Sequence, residues 1–142
     1  MDYHALACEL LNIRGSQSQI RYEQKVSKLL CADIFVLKFI HDWQDAGEPV
    51  HPKDLSDAMM MSSARMAVIL RHLEDKGYIH RDHDKQDNRQ VLVTLSDKGR
   101  DTLENHRKEF VDYIERILTR MGDDAQEYVR LQKEFIRSLP EK

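Results

Sequence analysis

Residues 52–77 read PKDLSDAMMMSSARMAVILRHLEDKG and have the spacing of two short helices joined by a tight turn. Pro52 suits the first position of a helix because its nitrogen has no hydrogen to donate, and His51 falls in the capping position before it. Ser62 is a good cap for the second helix, and Gly77 is a typical residue at which such a helix ends. Two short helices with this spacing predict a helix-turn-helix.

The repeat of apolar residues changes from about 3.6 to about 2 after Gly77, which indicates strands. Segments 78–81 and 90–95 are predicted as the two strands, and the polar segment 82–89 between them carries turn-forming residues. A hairpin directly after a helix-turn-helix predicts a winged helix, with segment 82–89 as the tip of the wing.

The rest of the chain is predicted to be helical. Apolar residues at helical spacing occur through residues 6–30, but the polar stretch 15–19 leaves open one long helix with a weak point or two short helices. Residues 33–44 are apolar around most of the helix circumference, which predicts a central buried helix. A long helix follows Ser96, breaks at residues 122–124 and precedes a last helix. The predicted fold class is therefore mostly α, of the α+β kind.

Composition excludes several classes of protein. The 142 residues suffice for one domain with a core of its own, and five glycines and three prolines are too few for a collagen-like or linker-dominated chain. Apolar runs such as Ile34 to Leu37 are too short to span a membrane, and the first residues carry no secretion signal. We therefore expect a cytoplasmic protein without a membrane partner. Cys8 and Cys31 cannot form a disulfide scaffold and suit a reducing compartment.

The formal net charge of −3 is distributed unevenly along the chain. Residues 62–100 contain eight basic and six acidic side chains, whereas residues 1–61 contain six and nine, and residues 101–142 contain eight and ten. A mildly cationic segment therefore lies between two acidic ones. A surplus of two charges is also within ordinary variation, and charge bears on association rather than on fold.

The motifs of the central segment follow one another without a gap. They are Asp54-Leu55-Ser56, Ser62-Ser63, Leu73-Glu74-Asp75-Lys76-Gly77, Asp87-Asn88-Arg89 and Leu95-Ser96-Asp97-Lys98-Gly99-Arg100. In this order they resemble the MarR family of bacterial winged-helix transcription regulators, and the order of elements matches over nearly the whole chain. Two features depart from the family pattern. Asn88 replaces the basic residue usual beside the wing arginine, and Met59-Met60-Met61 replaces the commoner Leu-Gly turn.

The resemblance implies a homodimeric DNA-binding transcription regulator, specifically a repressor, that binds a pseudo-palindromic operator and responds to a small molecule. It also implies that residues 1–32 and 101–142 form long dimerisation helices, and that residues 33–100 form the winged helix-turn-helix that binds double-stranded DNA. The apolar stripes of these flanking helices fit that role, because one small domain would leave part of them exposed.

The candidate DNA-binding residues are Ser62, Ser63, Arg65, Arg71, His72, Lys85, Asp87 and Arg89. If the second helix enters a major groove, its first turn presents Ser63, Ala64 and Arg65 to the bases, and Arg65 suits a bidentate contact with guanine. Arg71 and His72 then lie towards the flanking backbone. Two alternatives stay open: Ser62 only caps the helix, and Arg65 is a charged side chain exposed to solvent without a DNA contact.

The predicted wing tip carries two of these cationic residues, Lys85 and Arg89. Arginine is favoured in narrow minor grooves, and the resemblance implies this role for Arg89, with Asp87 holding its side chain in place. For Lys85 the alternative is that it is a solvent-exposed lysine in a turn and has no role in DNA binding.

The sequence says less about sensing. The resemblance implies a small-molecule effector, and a pocket beside Phe35, Phe39 and Trp43 is the expected place. Cys8, with Tyr22 downstream, loosely resembles the peroxide-sensing branch of the family, although a buried inert thiol is the simpler interpretation for both cysteines. Seven histidines include no two at a spacing of three or four residues within a helix, so we expect no metal site. We also expect no cofactor.

The sequence bears on two other functional classes. The chain has no nucleophile elbow, no phosphate-binding glycine loop and no His-Glu-x-x-His motif, so we expect that it is not an enzyme. A winged helix that binds a protein partner and has lost DNA contact is the second alternative. The cationic residues Arg65, Lys85 and Arg89 favour DNA over that alternative.

Overall fold

The computed structural model describes residues 1–86 and 89–141, over which the chain forms seven helices and one two-stranded antiparallel ribbon. In chain order the elements are α1 (Tyr3–Arg14), α2 (Gln17–Leu29), α3 (Ala32–Asp45), α4 (Pro52–Ala58), α5 (Ser63–Asp75), β1 (Ile79–His83), β2 (Val91–Leu95), α6 (Asp97–Met121) and α7 (Asp124–Arg137). The predicted mostly α winged helix is confirmed. The chain divides into two compact units, one up to Arg107 and the other from Lys108 onward.

The polar stretch after Arg14 separates two helices, which decides between the two alternatives left open by the sequence. Ser16 caps α2, since its side-chain oxygen accepts a hydrogen bond from the Gln19 backbone N–H at 3.2 Å. The same hydroxyl donates to the Ile13 carbonyl at 2.6 Å, near the end of α1. One serine thus satisfies backbone groups of both helix ends, which otherwise lack helical partners.

The hydrophobic core lies in the first unit and has α3 at its centre, as the sequence predicted. Four residues of α3 are buried, and they pack with residues of the helix-turn-helix and the ribbon. The members of this core are Ile34, Val36, Leu37, Ile40, Val50, Leu55, Met66, Leu70, Leu73, Ile79, Val93 and Leu95. The helix-turn-helix and the wing therefore share one core, which holds both in place.

The turn between α4 and α5 contains a strained residue. Met60 has φ of 51°, in the left-handed region, and its side chain is 86% exposed. Glycine adopts this conformation without a steric cost, whereas a residue with a Cβ atom adopts it only at a cost in energy. Ser62 then begins α5 by accepting from the Arg65 backbone N–H at 3.2 Å, so its predicted capping role is confirmed.

Strand β1 extends two residues further towards the wing tip than the sequence predicted. β1 runs from Ile79, opposite Leu95, to His83, opposite Val91. Asp82 and His83, predicted to belong to the wing tip, therefore lie in the strand. The prediction was wrong because the polar side chains of this segment resemble a turn, while backbone pairing with β2 determines where the strand ends.

The ribbon is also held at its base by two hydrogen bonds from β2. The Val93 backbone N–H donates to the Val50 carbonyl at 2.8 Å, and the Leu95 N–H donates to the Gln44 side-chain oxygen at 3.0 Å. These contacts reach the last turn of α3 and the segment between α3 and α4. The base of the wing is consequently attached to the helical part of the same unit.

Helix α6 begins at a close packing contact. Ser96 caps the helix by accepting from the Gly99 N–H at 3.0 Å, and its hydroxyl donates to the Gly77 carbonyl. Gly99 is buried against the Tyr78 backbone. The helix ends at Met121, and Gly122, with φ of 62°, precedes α7 as the sequence predicted.

Candidate nucleic-acid interface

Helix α5 has an inner and an outer face that differ in exposure. Met66, Leu70 and Leu73 are buried and define the inner face. With about 100° between successive residues, Ala64 and Val68 lie on the opposite side. Both are exposed, Val68 to 61%, so the outer face of the helix carries an apolar side chain directed away from the core.

The cationic candidates on α5 lie beside this outer face. Arg65 and Arg71 are exposed, as is Ser63 at the first position of the helix. The His72 Nε2 atom lies 3.6 Å from Asp33 Oδ2, which places His72 beside the first turn of α3. Ser62, Ser63, Arg65 and Arg71 are therefore all exposed on or just before α5, and His72, also exposed, lies next to α3.

Sequence reasoning missed Val68 as a candidate. It took the buried positions of α5 as the guide and considered only the first turn of the helix for base contact. A helical projection of residues 62–76 places Val68 one turn after Ala64 on the outward side. An apolar side chain at such a position suits contact with the methyl group of thymine.

The wing tip begins with an Asx turn. Asp84 follows β1, and its Oδ1 accepts from the Gln86 backbone N–H at 2.9 Å. The Asp84 backbone N–H donates to the Gln90 carbonyl at 2.8 Å, which closes the base of the tip. Lys85 and Arg89 are both exposed. The candidate Asp87, with its neighbour Asn88, lies outside the described residues.

Two ion pairs connect the helix-turn-helix to the wing. The Arg81 Nη2 atom lies 3.0 Å from Glu74 Oε1, which joins β1 to the last turn of α5. This hydrogen bond lowers the pKa of the Glu74 carboxyl from its ordinary value. The second pair joins His51 Nε2 to Asp84 Oδ2 at 2.9 Å, across 33 residues of sequence. Sequence reasoning found neither pair, since no local pattern predicts which side chains meet across the ribbon.

Residues 19–106 match the family model described as transcriptional regulator SarA/Rot. This match covers well over half of the chain. The chain belongs to the SarA/Rot family of transcriptional regulators. The resemblance to MarR-type winged-helix regulators drawn from the sequence is confirmed.

Curated relatives of this SarA/Rot-family chain match it in part. An uncharacterized HTH-type transcriptional regulator of Bacillus subtilis, YdgJ, is 31% identical over 79 residues, which are 56% of this chain and 48% of YdgJ. SarZ of Staphylococcus haemolyticus, also an HTH-type transcriptional regulator, is 33% identical over 52 residues, which are 37% of this chain and 35% of SarZ. The aligned segments thus span about half the length of these relatives or less. The relatives named are transcription regulators rather than enzymes.

Solved structures share the fold of this SarA/Rot-family chain over most of its length. YusO from Bacillus subtilis superposes with a TM-score of 0.76 at 16% identity, covering 98% of this chain and 99% of YusO. MepR, a transcription regulator of the Staphylococcus aureus multidrug efflux pump MepA, superposes at 0.70 with 18% identity and 91% and 94% coverage. MepR in complex with DNA superposes at 0.65 with 18% identity and 92% and 97% coverage.

The predicted sensing residues of this SarA/Rot-family regulator lie in different environments. Cys31 is half-buried against the core, but Cys8 is exposed, so the interpretation of Cys8 as a buried thiol was wrong. The reason is that α1, which the structure describes in full, has no buried residue. Cys8 Sγ lies 3.7 Å from the Nε2 atom of His4, one turn earlier.

The aromatic residues predicted to line an effector pocket are only partly together. The Phe39 and Trp43 rings pack with centroids 5.5 Å apart against the core, whereas Phe35 is 40% exposed. The effector pocket stays a prediction. No helix within the described residues is long and apolar enough to cross a membrane.

Proposed function

We propose that this chain is a homodimeric repressor that binds a pseudo-palindromic DNA operator through α5 and the wing. The observation that carries the proposal is the exposed surface formed by the capped start of α5, with Ser63 and Arg65 exposed beside the outer face of that helix. The basic residues Lys85 and Arg89 on the wing supply a second contact. A structural neighbour bound to DNA, MepR, has the same fold.

In this proposal the start of α5 enters a major groove. Recognition helices read bases with their N-terminal residues, and an arginine there can donate two hydrogen bonds to guanine. Arg65 takes that role, while Ser62 and Ser63 reach phosphate or base edges. Arg71 and His72 contact the flanking phosphates. Contacts of this kind fix the orientation of a protein on DNA without reading its sequence.

The wing makes the second set of contacts. Arg89 enters the adjacent minor groove, where a narrow groove attracts arginine, and Lys85 contacts the phosphates beside it. The family resemblance assigns Asp87 the role of holding Arg89. Because the cationic surplus of residues 62–100 is small, we expect modest affinity that falls steeply with salt.

Dimerisation accounts for exposed apolar surface in both units. In α1 the exposed large hydrophobic residues include Leu6, Leu10 and Ile13, and in α7 they include Phe135 and Ile136. Exposed apolar patches of this kind mark association surfaces. Residues 1–32 and 101–142 are proposed as the dimerisation region, with residues 33–100 as the DNA-binding lobe. A two-fold dimer places two copies of α5 one turn of DNA apart, which makes the operator a pseudo-palindrome.

The regulatory signal is proposed to be a small molecule that changes DNA affinity. A second candidate is a peroxide, and the exposure of Cys8 favours it, since reactive thiols must be accessible. Treating the protein with hydrogen peroxide separates the two. Loss of DNA affinity in the wild type and in Cys31→Ser, but not in Cys8→Ser, would support the peroxide. Equal behaviour of all three proteins would exclude Cys8 as the sensor.

The DNA-binding proposal is tested by a gel-shift titration. DNA sequences bound by the purified protein are selected from a random pool, and the dissociation constant of the selected duplex is measured from low to physiological salt. We expect an inverted repeat with half-sites about 10 base pairs apart and a slope of about −0.9 in the logarithm of affinity for each phosphate contacted. Absence of binding at low salt would overturn the proposal and favour a winged helix that binds a protein partner.

A further inference from the structure

His51 lies between two carboxylates from different parts of the fold. Its side chain is 20% exposed, its Nδ1 atom lies 3.2 Å from Asp54 Oδ2, and its Nε2 atom lies 2.9 Å from Asp84 Oδ2. A carboxylate only accepts hydrogen bonds, and a neutral imidazole has a proton on one ring nitrogen alone. Both contacts are therefore hydrogen bonds only when His51 is protonated.

Asp84 divides its two carboxylate oxygens between the wing tip and His51. Oδ1 accepts from the Gln86 backbone N–H and shapes the start of the tip, while Oδ2 faces His51. The Asp84 side chain is 17% exposed, so solvent screens these contacts only in part. The residue that starts the tip turn is thus also the residue that reaches the N-terminal end of α4.

The rest of the wing is held without His51. The Val93–Val50 and Leu95–Gln44 hydrogen bonds fix β2 at its base, and Val93 and Leu95 are buried in the core. The contact between His51 and Asp84 is made further along the ribbon, next to the tip. Its loss is therefore expected to change the tip rather than to unfold the ribbon.

We propose that His51 is a positioning residue, which fixes the wing tip relative to the helix-turn-helix through Asp84. This inference rests on the proposed function, because the two parts must reach neighbouring grooves of one DNA duplex at once. A tip held in the binding geometry before association loses less conformational freedom on binding. Lys85 and Arg89 are the residues presented in this way.

The contact also makes the orientation of the wing depend on pH. The charged groups that face His51 are Asp84 from the wing and Asp54 from α4. The hydrogen bond to Asp84, followed by that to Asp54, raises the pKa of His51 above its ordinary value, against the opposing effect of burial. A raised pKa in the folded state means that both hydrogen bonds are complete at low pH and that one of them is lost as the pH rises through that pKa, because a neutral imidazole donates only one.

The test compares the wild type with His51→Gln and Asp84→Asn. Affinity for the duplex selected by the wild type is measured at pH 6.0 and pH 8.5, with His83→Gln, an exposed neighbour of Asp84, as the control. We expect both test variants to bind about tenfold more weakly than the wild type at pH 6.0, and we expect a smaller difference at pH 8.5, where neutral His51 donates only one hydrogen bond. The control should follow the wild type at both pH values.

Asp84→Asn separates positioning from simple electrostatics. Removing a negative charge from a DNA-binding surface strengthens binding if charge alone matters. Weaker binding by Asp84→Asn at pH 6.0 therefore supports positioning, and tighter or unchanged binding at that pH overturns it. The double variant His51→Gln with Asp84→Asn should bind no more weakly than either single variant, because one contact is lost in all three proteins.

A readout without DNA keeps this inference distinct from the proposed function. The NMR titration of His51 should show a pKa above the ordinary value of histidine, and the shift should become smaller in Asp84→Asn. Wild-type protein that binds no DNA would overturn the proposed function and the DNA part of this inference together. Wild-type protein that binds DNA while His51→Gln matches it at both pH values would overturn the inference alone.

Discussion

The backbone carbonyl of Tyr78 occupies the space in which a side chain at Gly99 would begin. A Cβ atom at residue 99 would overlap the Tyr78 carbonyl oxygen, and that oxygen also accepts a hydrogen bond from the Ser96 N–H at 3.1 Å. The start of α6 is thus packed backbone to backbone against the end of the helix-turn-helix. Only glycine fits at residue 99.

Gly99→Ala should lower the free energy of unfolding by about 3 kcal/mol, since overpacking a rigid backbone contact carries a cost of this order. Urea denaturation followed by circular dichroism measures the change. Gly15→Ala is the matched control, because a Cβ there would meet its nearest atoms at 3.7 and 3.8 Å. The control should change stability by no more than about 0.5 kcal/mol. Equal effects of the two substitutions would contradict the packing argument.

Met60→Gly should stabilise the protein, because φ of 51° strains a residue with a side chain. The substitution relieves that strain, but glycine also has greater conformational freedom in the unfolded chain, which opposes the gain. The free energy of unfolding should therefore rise by about 0.5 kcal/mol. Ala46→Gly is the control, since Ala46 is exposed and has φ of −78°. Thermal melting should show the control losing about 0.5–1 kcal/mol. A loss for Met60→Gly of the same size would refute the strain.

Arg65→Ala and Arg89→Ala should weaken DNA binding in different ways. Arg65→Ala should cost about 1–3 kcal/mol and relax the preference at one base, whereas Arg89→Ala should weaken binding to all sequences nearly uniformly. Lys38→Ala is the control, because it changes the net charge by the same amount at a site on α3, where Lys38 pairs with Asp42 at 2.6 Å. This variant should bind DNA as the wild type does. Anisotropy titrations with the selected duplex and its single-base variants distinguish the three. Unchanged affinity in both arginine variants would show that the docking geometry is wrong.

Val68→Ala should leave folding intact, because the side chain is 61% exposed, but should remove a contact with a thymine methyl group. The direct measurement replaces individual thymines of the selected duplex with uracil, which lacks that methyl group. One such replacement should weaken wild-type binding while leaving Val68→Ala unaffected. If every replacement affected the two proteins alike, Val68 would not read thymine.

Leu10→Glu and Phe135→Glu should each convert the dimer to a monomer, since burying an unpaired charge in an apolar interface is costly. Sedimentation equilibrium should show a dimer dissociation constant raised by at least about 100-fold, which corresponds to about 2.7 kcal/mol. Asn12→Glu, on the opposite face of α1 from Leu10, should remain dimeric. A wild-type protein that is monomeric at micromolar concentration, or a dimeric Leu10→Glu variant, would contradict the proposed interface.

Local signals in the sequence were sufficient for most of the fold. Pro52, Ser62, Gly77 and Ser96 mark helix ends through their own backbone and side-chain chemistry, and each acts there in the structure. The buried residues of α3 and α5 follow from helical spacing. Such features depend on neighbours within four or five residues, which a sequence displays directly.

Contacts between distant residues could not be predicted in the same way. Whether His51 meets Asp84 depends on the angle of the ribbon. That angle is determined jointly by the pairing of β1 with β2 and by packing against the core. The extension of β1 to His83 has the same origin. The sign of φ at Met60 was not foreseen either, because methionine gives no indication of a left-handed turn.

Helix α1, all of which the structure describes, has no buried residue, so contacts within this chain stabilise it little. A helix of about twelve residues is marginal by itself in water, so the surface that covers it supplies much of its stability. If that surface belongs to a second copy, the apparent melting temperature rises with protein concentration. Scarce protein would then be exposed to proteolysis at α1. Turnover of the regulator, and not only its occupancy of DNA, would set how quickly its genes respond.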